Sequence, residues 1–104
     1  MRSTDFRRVY DGGSRFSSSL FAAFYVRETQ AGGPRIGFTT PRALGKAVVR
    51  NRIRRRVREA VRLHLEQLNP EWWIVFNPRR KALDAPFQEL EREVERLFRR
   101  SNGQ

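Results

Sequence analysis

Apolar residues recur along the chain in two periods, and the switches between them mark its elements. Phe6, Val9 and Tyr10 follow at helical spacing behind the cap oxygens of Ser3, Thr4 and Asp5, and Gly12-Gly13 stops them. A first helix of about two turns is expected. So short a helix is marginal in water and must be held by packing its aromatic side. Residues 15–26 are rich in Ser and Phe, and within them Leu20-Phe21-Ala22-Ala23-Phe24-Tyr25-Val26 is almost wholly apolar. That is the pattern of a strand covered on both faces. Gln30-Ala31-Gly32-Gly33-Pro34 reads as a hairpin loop, and residues 35–40 as the antiparallel return strand, closed by Pro41. Gly37 within it permits close backbone approach.

A longer helix is expected from Gly45 or Lys46 to Leu68, ending before Asn69-Pro70. At about 100° per residue, Val49, Ile53, Val57, Ala60, Val61, His64 and Leu68 share one arc. Asn51, Arg54, Arg55, Arg58 and Arg62 share another, which hardly overlaps the first. Trp72-Trp73-Ile74-Val75-Phe76 reads as a buried strand and residues 77–81 as a basic loop. Asp84 is expected to cap a last helix with Pro86 in its first turn. Phe87, Leu90, Val94, Leu97 and Phe98 form that helix's apolar stripe, with glutamates early and Arg99 and Arg100 late. This order suits the helix dipole, so Glu89, Glu91, Glu93 and Glu95 read as structural.

Charge changes the picture. The 104 residues carry a net charge of +11, and residues 42–62 alone hold nine basic side chains against one acid, a net of +8. A solvated charged face would carry balancing acids in the same stretch; without them, a polyanion is the expected partner, bound in a salt-dependent way. Four helical residues rise about 6 Å, comparable to the spacing of phosphates along a strand, so successive arginines are placed to meet successive phosphates. Length and a hydrophobic content of 38% fit a single domain, residues 1–104, with a small core.

The chemistry of catalysis is thin. With no cysteine there is no disulfide framework or thiolate zinc site, and the only histidine, His64, falls on the apolar arc. Asp5, Asp11 and Asp84 are too scattered in sequence to suggest a two-metal carboxylate cluster. Neither a signal core nor an apolar run of membrane length is present, so a reducing cytosol is the expected setting. The chain carries more aromatic groups than a small core usually needs, and in a basic protein some are candidates to stack on unpaired bases, with core packing the default for each.

Leu44-x-x-Ala47-x-x-Arg50-Asn51-Arg52-Ile53-Arg54-Arg55-x-Val57-Arg58 closely resembles the signature helix of the bacterial ribonuclease P protein subunit. Asp5-Phe6-x-x-Val9-Tyr10-x-x-Gly13 resembles that family's first helix, Arg35-x-Gly37-Phe38 its central strand and Trp73-Ile74-Val75-Phe76 its last strand, all in the family's order. The resemblance implies an α/β two-layer sandwich in the order αβββαβα, with a four-stranded mixed sheet and a left-handed β-α-β crossover through the arginine helix. It further implies an accessory subunit, expected to be monomeric, that joins the catalytic ribonuclease P RNA. The resulting ribonucleoprotein is an endoribonuclease that removes the 5′ leader of precursor tRNA. Carried over by position, Arg42, Lys46, Arg50, Asn51, Arg52, Arg54, Arg55, Arg58 and Arg62 are the RNA-facing residues. Phe6, Tyr10 and Phe24 are the aromatics of a cleft for the single-stranded leader. Mg2+ is expected, held mainly by RNA phosphate oxygens.

Arg52 and Arg56 lie towards the helix flank, where they are exposed or pair with Glu59 and Glu66. The chain departs from the family in reading Pro41-Arg42 where two adjacent basic residues are usual, and Asn77 where an arginine often ends the last strand. A different structured-RNA-binding protein would use the same helix and need no leader cleft. A major-groove DNA reader would need base-reading residues at the helix start, where Val48 and Val49 stand, and a dimer seam. A membrane-surface helix would carry its aromatics on the basic helix itself.

Overall fold

In the computed structural model, which describes residues 3–28 and 32–103, helix α1 (Ser3–Gly12) leads into strands β1 (Ser14–Ser17) and β2 (Phe21–Arg27). Strand β3 (Arg35–Phe38), helix α2 (Ala47–His64), strand β4 (Trp72–Pro78) and helix α3 (Phe87–Asn102) follow, giving the order αβββαβα. Ser3, Thr4 and Asp5 lie in the first turn of α1. The Ser- and Phe-rich stretch is two strands rather than one: the Ser18 hydroxyl oxygen accepts from the Leu20 and Phe21 amides, both at 3.2 Å, and folds β1 back on β2.

The sheet order is β1-β2-β4-β3. Here the expected hairpin is corrected. β3 does not return beside β2; β4 lies between them, antiparallel to β2 and parallel to β3. The physical reason is burial. β4 is apolar at every position from Trp72 to Phe76 and is buried at all five, so it takes the central place that needs cover on both faces and both edges. β3 has only four residues and is left at the edge. Part of the predicted hairpin loop, residues 30–31, lies outside the described residues. The connection from β3 to its parallel neighbour β4 runs through α2.

Alternation sorts the side chains by face. Phe21, Ala23 and Tyr25 of β2 and Trp72, Ile74 and Phe76 of β4 meet Ile53, Val57, Ala60 and Val61 of α2 and Leu90, Val94, Leu97 and Phe98 of α3. This is the main core, in which each fully buried large side chain contributes about 1.5–3 kcal/mol. On the other face, Trp73 and Val75 pack under Val9 of α1, flanked by Phe6, Phe24 and Val26. A Cβ on Gly13 would stand 2.3 Å from the Val9 carbonyl oxygen and 2.8 Å from that of Tyr25, so glycine is what lets α1 lie this close to β2.

Two boundaries differ from expectation. α2 ends at His64 and passes through a single 3-10 turn, Leu65–Gln67, so Leu68 is buried just outside it. Asp84 does not cap α3. Pro86 holds the N-cap position with extended backbone (ψ 138°) and no side-chain cap, because the chain reaches the helix from a 3-10 turn, Arg80–Leu83, that Asp84 terminates.

Candidate nucleic-acid interface

The apolar arc of α2 fixes how the helix sits, and its cationic side follows from that. Ile53, Val57, Ala60 and Val61 are buried against the sheet and α3, which turns Asn51, Arg55, Arg58 and Arg62 outward. His64 belongs to the packed side: its Nε2 lies 3.1 Å from Glu91 Oε1 and 3.6 Å from Glu95 Oε1, joining α2 to α3. Gly45, at φ +132°, swings the chain from a 3-10 turn, Arg42–Leu44, into α2, whose N-cap Lys46 has no side-chain hydrogen bond.

Nine positions were singled out from the sequence along this segment, and the structure places them differently. The side chains of Arg42, Lys46, Arg52, Arg55 and Arg58 are exposed; among the described residues the first four carry no protein partner, and Arg58 makes no hydrogen bond or salt bridge and feels only the charge of neighbouring Glu59. Asn51 and Arg54 are joined, with the Arg54 Nη2 donating to Asn51 Oδ1 at 2.7 Å. Arg62 grips Glu59 through two hydrogen bonds, 2.5 and 3.0 Å long. Chiefly through that grip, the Glu59 carboxyl is held below the usual carboxylate range and the Arg62 guanidinium is pushed higher still. Arg50 is half-buried and turned towards the exit of β3, its Nη1 reaching the Thr40 carbonyl at 3.5 Å and its Nε buried without a partner.

Arg56 is the correction. It neither points to solvent nor pairs with Glu59 or Glu66; its guanidinium donates to the carbonyls of Ala82, Leu83 and Ala85 and ties α2 to the turn before α3. A planar fork with five donors suits such a cluster of carbonyls. Two further arginines are used in the same way. Arg79 donates to the Ser18 carbonyl at 3.0 Å and the Ser17 hydroxyl at 3.1 Å, and Arg80 donates to the Leu44 carbonyl at 2.9 Å, bracing the turn that precedes α2.

A second surface lies where α1 crosses the sheet. The Tyr10 and Phe24 rings meet edge to face, with centroids 4.9 Å apart, and Phe6 is half-buried beside them. Tyr10, 38% exposed, donates its hydroxyl proton to Asn77 Oδ1 at 2.8 Å. The same oxygen accepts from the Thr39 hydroxyl at 2.5 Å, and Arg15 holds its guanidinium 5.9 Å from the Phe24 ring centre. Arg15 and Thr39 were not singled out from the sequence, and Asn77 was noted only as a departure from the family pattern. Arg15 was findable, because alternation in Ser14-Arg15-Phe16-Ser17 puts Arg15 opposite buried Phe16; the Thr39 and Asn77 link needs the tertiary pairing of β3 with β4. Towards the N-terminal end of α1 the surface opens into a cleft of about 600 Å³, lined by Thr4, Asp5, Arg8, Arg35, Glu28 and Trp73 among others.

Among the described residues, no group of three or more His, Cys, Asp or Glu side chains is arranged to hold a metal ion, and no helix is long and apolar enough to cross a membrane. The arrangement offers a cationic helix side and an aromatic, hydrogen-bonding surface, which suit a charged polymer with flat groups.

The family model described as Ribonuclease P matches residues 1–102. The ribonuclease P protein component of Symbiobacterium thermophilum is 48% identical over 97 residues, spanning 92% of this chain and 84% of that protein. That of Chloroflexus aggregans is 45% identical over 101 residues, spanning 96% and 74%. Among solved structures, the ribonuclease P protein from Thermotoga maritima superposes with a TM-score of 0.84 at 25% identity, over 96% of this chain and 94% of that one. The Staphylococcus aureus protein, at 24% identity and a TM-score of 0.82 over 97% and 92% of the two chains, shares the fold. The chain belongs to the ribonuclease P protein family.

Proposed function

We propose that this ribonuclease P protein component binds the catalytic RNA through α2 and the preceding turn and takes the 5′ leader of precursor tRNA on the α1 surface. In that way it assists endonucleolytic removal of the leader. The observation that carries the reading is the division of labour among the arginines. Arg56, Arg79 and Arg80 are spent on backbone carbonyls, while among the described residues Arg42, Lys46, Arg52 and Arg55 are left with no internal counter-charge and Arg58 feels only that of neighbouring Glu59. Unpaired cations on a rigid helix gain affinity by displacing counterions from phosphates.

The leader role rests on Phe6, Tyr10 and Phe24. Tyr10 is already oriented by Asn77 and Phe24 already faced by Arg15, so the surface presents aromatic groups with little ordering left to do when an unpaired strand arrives. Magnesium belongs to this reading as an ion held mainly by the RNA, whose phosphate oxygens are the hard ligands it prefers. The protein's part is to bind and to neutralise.

The test is to measure binding of precursor and mature tRNA to the RNA enzyme with and without protein. A gain confined to the precursor is expected, and equal gains for both would remove the leader role. Addition of the purified chain to its own RNA at low magnesium should restore 5′ processing.

A further inference from the structure

β3 is the outer strand of the sheet, paired only with β4 among the described residues, and α2 does not fully cover it. Ile36 and Phe38 point to the α2 face and remain half-buried, as does Leu65 just past the helix. Between them and the helix runs a groove of about 230 Å³ with Ile36, Phe38, Val61 and Leu65 as its floor and Arg58 and Arg62 at its rim. One face of the Phe38 ring is stacked on Phe76, centroids 5.5 Å apart and planes 19° from parallel. Among the described residues no carboxylate lines the groove.

We infer that this groove takes one unstacked nucleobase of the partner RNA, with Arg58 and Arg62 holding the phosphates on either side of that nucleotide. The inference rests on the reading of α2 as an RNA face and adds a base slot to it. Charge selects the occupant: a cationic rim around an apolar floor fits a group that is flat and apolar in the middle and anionic at both ends. Spacing agrees with it. Arg58 and Arg62 stand one helical turn apart, about 6 Å along the axis, which is the spacing of neighbouring phosphates and brackets one base between them. Arg58 makes no hydrogen bond or salt bridge among the described residues and feels only the Glu59 charge, and Arg62 has only that same exposed Glu59, a surface pair that a phosphate can displace. Phe38 backed by Phe76 is a rigid stacking platform, and the guanidinium planes above it can close on the other side of the base. A groove of this size suits a single base rather than a larger ligand.

The experiment uses the full chain and the ribonuclease P RNA of the same organism, with binding measured across a salt series. Phe38→Leu keeps an apolar side chain and removes the stacking face; about tenfold weaker binding is expected, with the salt slope unchanged because no charge is lost. Leu65→Trp, at the half-buried end of the floor, should fill the groove and weaken binding in the same way. Ultraviolet irradiation of the wild-type complex, followed by mass spectrometry, should find a nucleotide adduct on the peptide that contains Phe38. Circular dichroism and thermal melting confirm that both variants are folded. Wild-type affinity in both folded variants, with no adduct, overturns the inference. So does intact RNA binding together with a changed sedimentation of the chain, which would assign the groove to a second copy. The underlying RNA-face reading fails separately: Arg58→Ala should lower the salt slope, and a slope that stays put while Phe38→Leu still loses tenfold would remove the phosphate contact and leave the base slot.

Discussion

The Arg56 guanidinium lies 2.8 Å from the carbonyl oxygen of Leu83, twenty-seven positions along the chain, and donates to it from the flank of an otherwise outward-facing cationic helix. The same guanidinium also meets the Ala82 and Ala85 carbonyls. Hydrogen bonds from a charged donor contribute more than neutral ones, and removing the donor leaves half-buried acceptors without a partner. Arg56→Ala should therefore destabilise the fold by about 2–4 kcal/mol, read as a lower midpoint in urea unfolding. Arg56→Lys should recover little of that, since an ammonium lacks the fork. The salt slope of RNA binding should stay as in wild type. A destabilisation below about 0.5 kcal/mol would mean that these contacts carry no net stability.

Arg55 and Arg58 behave oppositely if they meet phosphates. Neither makes a hydrogen bond or salt bridge among the described residues, and Arg58 feels only the exposed Glu59 charge, so Arg55→Ala and Arg58→Ala should leave stability within about 0.5 kcal/mol of wild type. Each should lower the slope of log affinity against log salt by about 0.7–0.9. The triple change of Arg54, Arg55 and Arg58 to alanine should lower it by about 2–3. An unchanged slope in the triple variant, measured by filter binding across a salt series, would end the assignment.

The contrast between Arg56 and its neighbours shows how far the sequence can be read. Buried Ile53, Val57, Ala60 and Val61 were legible because helical periodicity is a local property, and outward-facing Arg55, Arg58 and Arg62 follow from the same geometry. The role of Arg56 was not, because it depends on carbonyls of a turn that only tertiary folding brings alongside. The strand order was missed for a similar reason. Residues 35–40 were recognised as a strand and β4 as buried, yet which strand neighbours which is decided by competition for the centre of the sheet, which β4 wins with five buried residues in a row. Asn77 shows the limit in the candidate leader surface. As a departure from the family pattern it signalled only a missing arginine, whereas in the fold it holds Tyr10 and Thr39 together.

Asn51 is predicted to act through Arg54, whose Nη2 it holds at 2.7 Å. Asn51→Ala frees the guanidinium to wander, so an entropic cost of holding it returns at each binding event. RNA affinity should fall several-fold, and Asn51→Asp, which keeps an acceptor but adds a negative charge next to the phosphates, should be worse. If Asn51→Ala in an Arg54→Ala background weakens binding as much as it does alone, the two act independently.

Glu59 supplies a pH-dependent test. Its carboxyl is held below the usual range, first by the hydrogen bond from Arg62, so the ionised pair favours the folded state above the ordinary carboxylate value and loses that contribution as pH falls through the depressed one. The pair lies at the surface and its effect on stability is small. Its effect on binding should be easier to see. Glu59→Gln removes the one acid among nine cations and releases Arg62, so RNA binding should tighten and the salt slope should rise by somewhat under one. An NMR titration of the Glu59 carboxyl in wild type and in Arg62→Ala should show the value returning upward in the variant; no movement would place the cause elsewhere.

Gly13 links the fold to the proposed leader surface. A methyl group there would meet the Val9 carbonyl at 2.3 Å and the Tyr25 carbonyl at 2.8 Å, both backbone atoms that cannot step aside as a side chain can. Gly13→Ala should push α1 off β2 and cost about 1–3 kcal/mol, while leaving the main core around Ile53, Phe76 and Leu97 in place. Displacement of α1 also breaks the hydrogen bond from Tyr10 to Asn77 and parts Tyr10 from Phe24. The variant should accordingly lose the preference for precursor over mature tRNA in the reconstituted ribonucleoprotein, with affinity for the RNA itself changed less than twofold because α2 packs on the opposite face of the sheet. Equal losses of both affinities would show that α1 and α2 are not separable surfaces.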